Sequence, residues 1–415
     1  MPLRITIHDF VGHAFQTQLS VELARRGHAV QHISFAGFRS PNEHPSASAG
    51  DPETFFLDPV MLHGEYPKYQ FLRRYWMDRR YLQACLARIS AFQPQVVLSA
   101  NASPAIQAGI LRACHRNSIT FINWVQDCYG IAAEKIFARR LGPAGRWLGR
   151  YIRRQEDEVV YSSDRVVLIS PDFFDAFPHL HPGKATVIEN WAPLGDLPAR
   201  PRINPWSLQQ GLTGKRILLY SGTLGLKHNP ELLVQLAADL VGWADVAVVV
   251  VSEGLGRAYL ERRRRELRLS NLLLFDFQPL AALRDVTASA EVLLAMVGKD
   301  AGAYSVPSKI LTYLCAGRAM LLAVPRSNLA ARIVTRSGAG LVVDPDDREG
   351  FVRSARELLL DPEGALKLAD SGRAYAVSMF DIAKIADRFE AVLFESLSSG
   401  RSIHRAEATA ATAGY

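Results

Sequence analysis

The sequence predicts an α/β protein built from two doubly wound parallel sheets. Three observations point there. Short apolar runs with little alternation, the mark of strands covered on both faces, recur along the chain. Longer segments of helical period separate them. The pattern runs twice, before and after a proline-rich stretch.

In the first half the strand runs are Leu3–Ile7, Val30–Ser34, Val96–Ala100, Thr120–Val125, Arg165–Ser170 and Thr186–Glu189. In the second they are Ile217–Ser221, Val246–Val251, Leu272–Phe275, Val292–Met296, Met320–Val324 and Gly340–Val343. Helical patterns cover His13–Arg26, Tyr75–Phe92, Pro104–Arg116, Pro230–Leu240, Ala258–Leu267 and Ser308–Ala316. Pro193, Pro198, Pro201 and Pro205 forbid a long helix or a central strand, so this stretch reads as a linker. The segment 39–67, rich in Pro, Ser, Gly and His, reads as a long loop or flap, and 401–415 as a fraying tail. Two open sheets joined in this way are expected to turn their strand carboxyl ends toward a shared cleft, where ligands of such sheets bind.

Composition narrows the function. The 415 residues are 48% apolar and 21% charged, which excludes disorder and coiled coil over the whole chain. A formal net charge of +7 suits an anionic ligand or membrane surface, and no nucleic-acid-binding signature accompanies it. The four cysteines form no C-x-x-C pair and the start lacks a signal-peptide core, so a reduced cytosolic protein is expected. No uncharged apolar run reaches ~18 residues, so no spanning helix is expected.

Four segments could carry chemistry. In Ser305-Val-Pro-Ser-Lys309 a cap and a first-turn proline start a helix near residue 306. Its unsatisfied N–H groups make an anion site, and Lys309 in that turn opposes the helix dipole unless an anion is shared. The alternative is a solvated lysine that bears a small penalty. In Tyr220-Ser-Gly-Thr-Leu-Gly-Leu-Lys227 a strand ends at a glycine turn, and Lys227 stands just before a helix that Asn229-Pro230 opens. This geometry suits phosphate or is a routine strand–helix turn; it is not a Walker loop. Asp127 follows the strand Thr120–Val125 and could orient or deprotonate a hydroxyl, or simply close a turn. Asp9-Phe-Val-Gly12-His13 follows the first strand, with His13 either a cleft residue or an ordinary buried polar one. Metalloprotease, zinc, serine-hydrolase and G-x-G-x-x-G signatures are missing.

Taken together and in order, these segments resemble the two-domain GT-B glycosyltransferases of the retaining family 4 group. The resemblance is greatest to its exopolysaccharide and O-antigen branch, of colanic-acid type. The matching stretches are Gly12 with Arg26-Gly27-His28-Ala29-Val30, Asn123-Trp-Val-Gln-Asp127, Ser163-Asp164-Arg165-Val166 with Ser170, and Glu189-Asn190-Trp191. They continue with Tyr220 to Lys227, Glu253-Gly254 with Arg257, Lys299 to Gly302, Val306 to Lys309, Ala316-Gly317-Arg318, Ser337 to Gly340, and Phe380-Asp381. Two glutamates usual in the wider family are replaced by Tyr304 and Thr312.

The resemblance implies two Rossmann-like domains: 1–192 for the acceptor and 207–380 for the nucleotide sugar. A linker would cover 193–206, a helix crossing back to the first domain 381–398, and a frayed tail 399–415. It implies that Gly222, Thr223, Lys227, Glu253, Ser305, Val306, Ser308, Lys309 and Thr312 hold the donor, and that Gly12, His13, Asn101 and Asp127 lie on the acceptor side. Lys227 and Lys309 would carry the leaving diphosphate's charge and Asp127 would orient the acceptor, with no metal. The expected partners are a nucleotide sugar and a glycan or polyprenyl-linked acceptor, but no nucleic acid. Read from its own residues, the arginine- and aromatic-rich segment 137–154, with apolar positions at helical spacing from Arg146 on, could make peripheral contact at the cytoplasmic membrane face. The alternative is that this stripe packs on the N-terminal core with its arginines solvated, since Gly142, Pro143, Gly145 and Gly149 interrupt the helix. A pseudo-glycosyltransferase, a nucleotide-sugar 2-epimerase and a catalytically silent partner subunit are the alternatives.

Overall fold

The computed structural model describes residues 1–37, 48–62, 66, 70–225, 228–299 and 308–412. Lys227, Tyr304, Ser305 and Val306, singled out above, lie outside the described residues. The chain forms two units, Met1–Asn190 with Ile382–Tyr415, and Trp191–Asp381.

The first unit runs β1 (Arg4–Asp9), α1 (Ala14–Arg25), β2 (Ala29–Phe35), β3 (Phe55–Val60), α2 (Phe71–Phe92), β4 (Val96–Ala100), α3 (Pro104–Arg116), β5 (Thr120–Val125), α4 (Tyr129–Ser162), β6 (Arg165–Leu168), α5 (Phe173–Ala176) and β7 (Ala185–Val187). Its strands form one sheet in the order β3-β2-β1-β4-β5-β6-β7. Every pairing is parallel; Ile5, for example, stands opposite both Val30 and Val96. All strand carboxyl ends therefore share one edge, and each following helix starts there. The chain order reverses between β1 and β4, which makes that point of the edge a natural ligand crevice.

The segment 39–67 is not loop throughout, because Phe55–Val60 forms β3. It is the outermost strand, so Pro59 is tolerated and the hydrophobic run is short.

The second unit holds α6 (Pro205–Gln209), β8 (Arg216–Ser221), α7 (Glu231–Asp239), β9 (Val246–Val251), α8 (Leu255–Leu267), β10 (Leu272–Phe275), α9 (Leu283–Ala288), β11 (Val292–Met296), α10 (Lys309–Ala316), β12 (Ala319–Ala323), α11 (Leu329–Ser337), β13 (Gly340–Val343), α12 (Arg348–Leu360) and α13 (Pro362–Met379). The sheet order is β10-β9-β8-β11-β12-β13, again parallel, with the reversal between β8 and β11. All six residues of β9 are buried, as a strand covered on both faces requires. The end of the proline-rich stretch is tied into this unit. Asn204 caps α6 in a reciprocal box with Ser207, and its amide donates to Asp285 O at 2.9 Å and Ser289 Oγ at 3.0 Å.

The last helix, α14 (Ile382–Thr412), belongs to the first unit. Ile385, Ala386, Phe389, Val392 and Leu393 recur at helical spacing and are buried, with the Phe389 ring 4.7 Å from that of Trp124. Arg26 bonds Asp387 at 2.7 Å, and His28 Nε2 lies 2.8 Å from Glu390. The backbone remains helical through 401–412, where fraying is expected from composition; the alanines there are strong helix formers.

Candidate functional site

In the first unit the polar residues gather at the chain reversal. β1 ends at Asp9, whose carboxylate is buried. The chain turns back through Gly12, at φ +78°, and His13 occupies the position before α1. That turn aims backbone N–H groups at the carboxylate: Val11 N donates to it at 3.2 Å, and His13 N donates as well. The neighbouring strand end supplies Asn101, at φ +57°, whose amide donates to Asp9 Oδ1 at 3.0 Å. His13 Nδ1 lies 3.2 Å from the same oxygen. With its amide nitrogen turned toward Asp9, Gln16 donates at 3.0 and 3.2 Å.

Charge follows from this geometry. Burial alone would raise the Asp9 carboxyl, but the His13 charge and hydrogen bonds outweigh it and hold it at about 2. Burial alone would lower the His13 imidazole; the Asp9 charge and hydrogen bond, then the Asp127 charge, reverse this and raise it. Asp127, exposed two residues past β5, is thus in electrostatic reach of His13. The expected group Gly12, His13, Asn101 and Asp127 stands at three adjacent strand ends. Sequence reasoning passed over Asp9 and Gln16 as site residues. The available signal was a carboxylate at the end of an apolar strand, four residues before a histidine.

In the second unit a basic site is built at the β8–β11 reversal. β8 ends at Ser221, and Gly222 follows at φ +121°. The positive φ favours glycine, and a Cβ there would stand 3.1 Å from Lys309 Nζ, crowding the amine. Lys309 opens α10 and projects its Nζ 3.7 Å above the Tyr220 ring. The residue is half-buried, but the Nζ is shielded from solvent and makes no hydrogen bond among the described residues. Burial pushes its pKa down to about 7. One turn on, Tyr313 clamps α10 to the strand end: its hydroxyl accepts from Ser221 N at 2.9 Å and donates to Ser221 O at 3.2 Å.

The other expected donor residues sit around this point. Ser308 is exposed beside the α10 start, Thr312 is half-buried within that helix, and Thr223 is exposed after Gly222. The described part of the helix begins at Lys309, later than the expected start near 306. Glu253 follows β9 and is tied to the β8 loop, since Leu224 N donates to its carbonyl at 3.1 Å. It lines a cavity of about 430 Å³ with Ser252, Gly254, Arg257, Asp276 and Phe277. Arg257 pairs with Asp276 across it at 2.9 Å. Asp276 and Phe277 are residues that sequence reasoning missed. Among the described residues no cluster of three His, Cys, Asp or Glu stands ready for a metal ion. The four cysteines are buried free thiols.

Residues 15–194 match the model of Glycosyltransferase Family 4. A putative colanic acid biosynthesis glycosyl transferase, WcaI of Escherichia coli K12, is 29% identical over 150 residues, 36% of this chain and 37% of that protein. A probable glycosyltransferase, WbjE of Pseudomonas aeruginosa, is 24% identical over 236 residues, 55% of this chain and 59% of that one. The matches thus span less than two thirds of either relative. Among solved structures, a sucrose-phosphate synthase of Thermosynechococcus elongatus superposes with a TM-score of 0.71 at 14% identity, over 96% of this chain and 100% of that one. Anabaena HepE in complex with UDP-glucose superposes at 0.68 and 12% identity, over 95% and 100%. At these identities the likeness shows the fold, two parallel sheets with interleaved helices.

Proposed function

We propose that this chain, which carries a Glycosyltransferase Family 4 domain on a GT-B fold, moves a sugar from a nucleotide diphosphate sugar to a hydroxyl of a glycan or polyprenyl-linked acceptor in surface polysaccharide synthesis. One observation carries the donor half of this reading, the buried amine of Lys309 with no hydrogen-bond partner among the described residues. An ammonium held out of water, in the first turn of a helix whose dipole it opposes, is unfavourable on its own. A diphosphate oxygen beside it answers both costs and accepts the N–H groups of the helix start.

When the sugar–phosphate bond breaks, charge builds on the departing diphosphate. Lys309 and Lys227 stabilise that charge without a metal. Gly222, Thr223, Ser305, Val306 and Ser308 supply backbone and hydroxyl donors. Glu253 and Thr312 flank the nucleoside. The complex of Anabaena HepE with UDP-glucose, on the same fold, supports a nucleotide-sugar donor. The acceptor is held in the first unit by His13, Asn101 and Asp127 around the Gly12 turn. Asp127 orients its hydroxyl, the leaving phosphate takes the proton, and the anomeric configuration is retained. The protein works at the cytoplasmic membrane face as a peripheral enzyme; no helix among the described residues is long and apolar enough to cross a membrane.

The test is a calorimetric titration of nucleoside diphosphates, followed by turnover of the matching nucleotide sugar. Lys309→Ala is expected to weaken diphosphate binding by about tenfold or more, the scale of one charge-assisted hydrogen bond. Unchanged binding would remove Lys309 from the site.

A further inference from the structure

We propose that α4 and the first turns of α2 form one docking face for an anionic lipid surface. The inference rests on the peripheral-membrane part of the reading above and names the residues that make the contact.

The shape of α4 sets this face apart. Its helical backbone breaks once, at Gly142 (φ 55°, ψ −131°), followed by Pro143. The two arms fold back on each other. A Cβ on Gly149 would stand 2.6 Å from Glu134 Cα, and one on Gly130 would stand 2.8 Å from Arg153 Cα. Gly130 N also donates to Glu156 at 3.0 Å. Gly149 is therefore a helix–helix contact, not the interruption its composition suggests. The root of this hairpin lies where the chain leaves β5, at the carboxyl edge of the sheet. The returning arm passes that level at residues 153–156 and then runs beside α3, where Glu158 pairs with Arg112 at 2.8 Å. Its first ten residues thus extend from that level as an arm roughly 15 Å long, at 1.5 Å per residue.

This projecting arm is neither a core helix nor an ordinary solvated one. Trp147 is 71% exposed and Tyr151 50%, and their rings stack at 6.1 Å on the outer surface. Arg146, Arg150 and Arg154 are exposed around them, and residues 142–154 contain no acid. Arg153 is not part of this face; it bonds Asp157 at 3.0 Å and its guanidinium lies 5.1 Å over Phe177.

The start of α2 repeats the composition at the same sheet edge. Tyr75 is 53% and Trp76 60% exposed, with the Arg79 guanidinium 5.8 and 6.0 Å from their rings and with Arg73 and Arg80 exposed nearby. Its one acid, Asp78, is turned inward to the Tyr66 hydroxyl at 2.9 Å and the Ser103 hydroxyl at 3.1 Å. Tyr129, the first residue of the hairpin, lies within electrostatic reach of Arg74 in α2. Two exposed aromatic pairs ringed by arginines match the amphipathic chemistry of a headgroup layer.

The experiment is co-sedimentation of the full chain with vesicles of phosphatidylcholine alone and of equimolar phosphatidylcholine and phosphatidylglycerol, at low and high salt. Binding is expected only to the anionic vesicles and is expected to fall with salt. The triple variant Arg146→Glu, Arg150→Glu, Arg154→Glu and the separate variant Trp76→Ser, Arg79→Glu should each weaken it by about tenfold or more. No binding to anionic vesicles, or wild-type binding by both folded variants, overturns the proposal. Diphosphate titration of the same variants separates the two readings. Intact nucleotide binding with no vesicle binding removes the docking face and leaves the transferase; vesicle binding without nucleotide binding does the reverse.

Discussion

Replacing Lys309 by Met should stabilise the protein, and by an amount that depends on pH. The amine is held near a pKa of about 7 in the folded chain, against 10.5 when exposed, because its burial disfavours the ammonium. The difference, 10.5 − 7, corresponds to about 4–5 kcal/mol at the ~1.4 kcal/mol of each pKa unit. The unfolded chain binds the proton more readily, so stability rises with pH between the two values. The cost of the buried ammonium is complete below pH 7, shrinks as pH rises, and disappears above 10.5. Met fills the space over the Tyr220 ring without a charge, and its packing contribution is the same at every pH. The advantage of Lys309→Met over the wild type should therefore be about 2–3 kcal/mol smaller at about pH 9 than at about pH 6. Urea unfolding of both proteins at the two pH values measures this as a double difference. A gap that does not change with pH would refute the reasoning, because it would mean that the amine is solvated or already paired. The same variant should lose nucleoside-diphosphate binding, so the position trades stability for function.

Three further outcomes follow from other parts of the chain. Asp9→Asn should lower the His13 imidazole from its raised value toward or below the ordinary 6.5, because the largest opposing influence to burial is removed; NMR titration of the ring reads this directly, and an unchanged midpoint would show that Asp9 does not set it. Sugar transfer should persist in excess chelator, the expectation for a site that carries leaving-group charge on lysines; loss with EDTA and recovery with Mg²⁺ would contradict it. Phe389→Ala in α14 should cost about 3–5 kcal/mol by opening a cavity against Trp124, measurable as a lower urea midpoint; a loss under ~1 kcal/mol would mean that α14 contributes little to the first unit.

The alternation of elements was legible because parallel strands bury both faces. A run such as Val246–Val251 needs no partner sequence to be recognised, and Pro104–Arg116 carries its own helical period and first-turn proline. Strand ends were legible too, and with them the candidates Asp127 and Gly222. β3 was not, since an edge strand with Pro59 and mixed burial loses both the apolar run and the alternation. The bend of α4 was visible at Gly142-Pro143, but nothing local says that Gly149 would meet Glu134 and leave Trp147 outside.

The decisive features of both clusters arise from residues far apart in the chain. Asp9 is anchored by an amide 92 positions away. Whether Lys309 is a solvated lysine or a buried amine depends on the ring of Tyr220 and the missing side chain of Gly222, both supplied by another strand. Period and propensity report which face of a segment turns inward. They carry no information on which atoms of a distant segment wait there, and desolvation and hydrogen bonding depend on those atoms alone. The sequence by itself determined that the lysine opens a helix beside a glycine turn; only the tertiary structure decided that its charge would be costly without an anion.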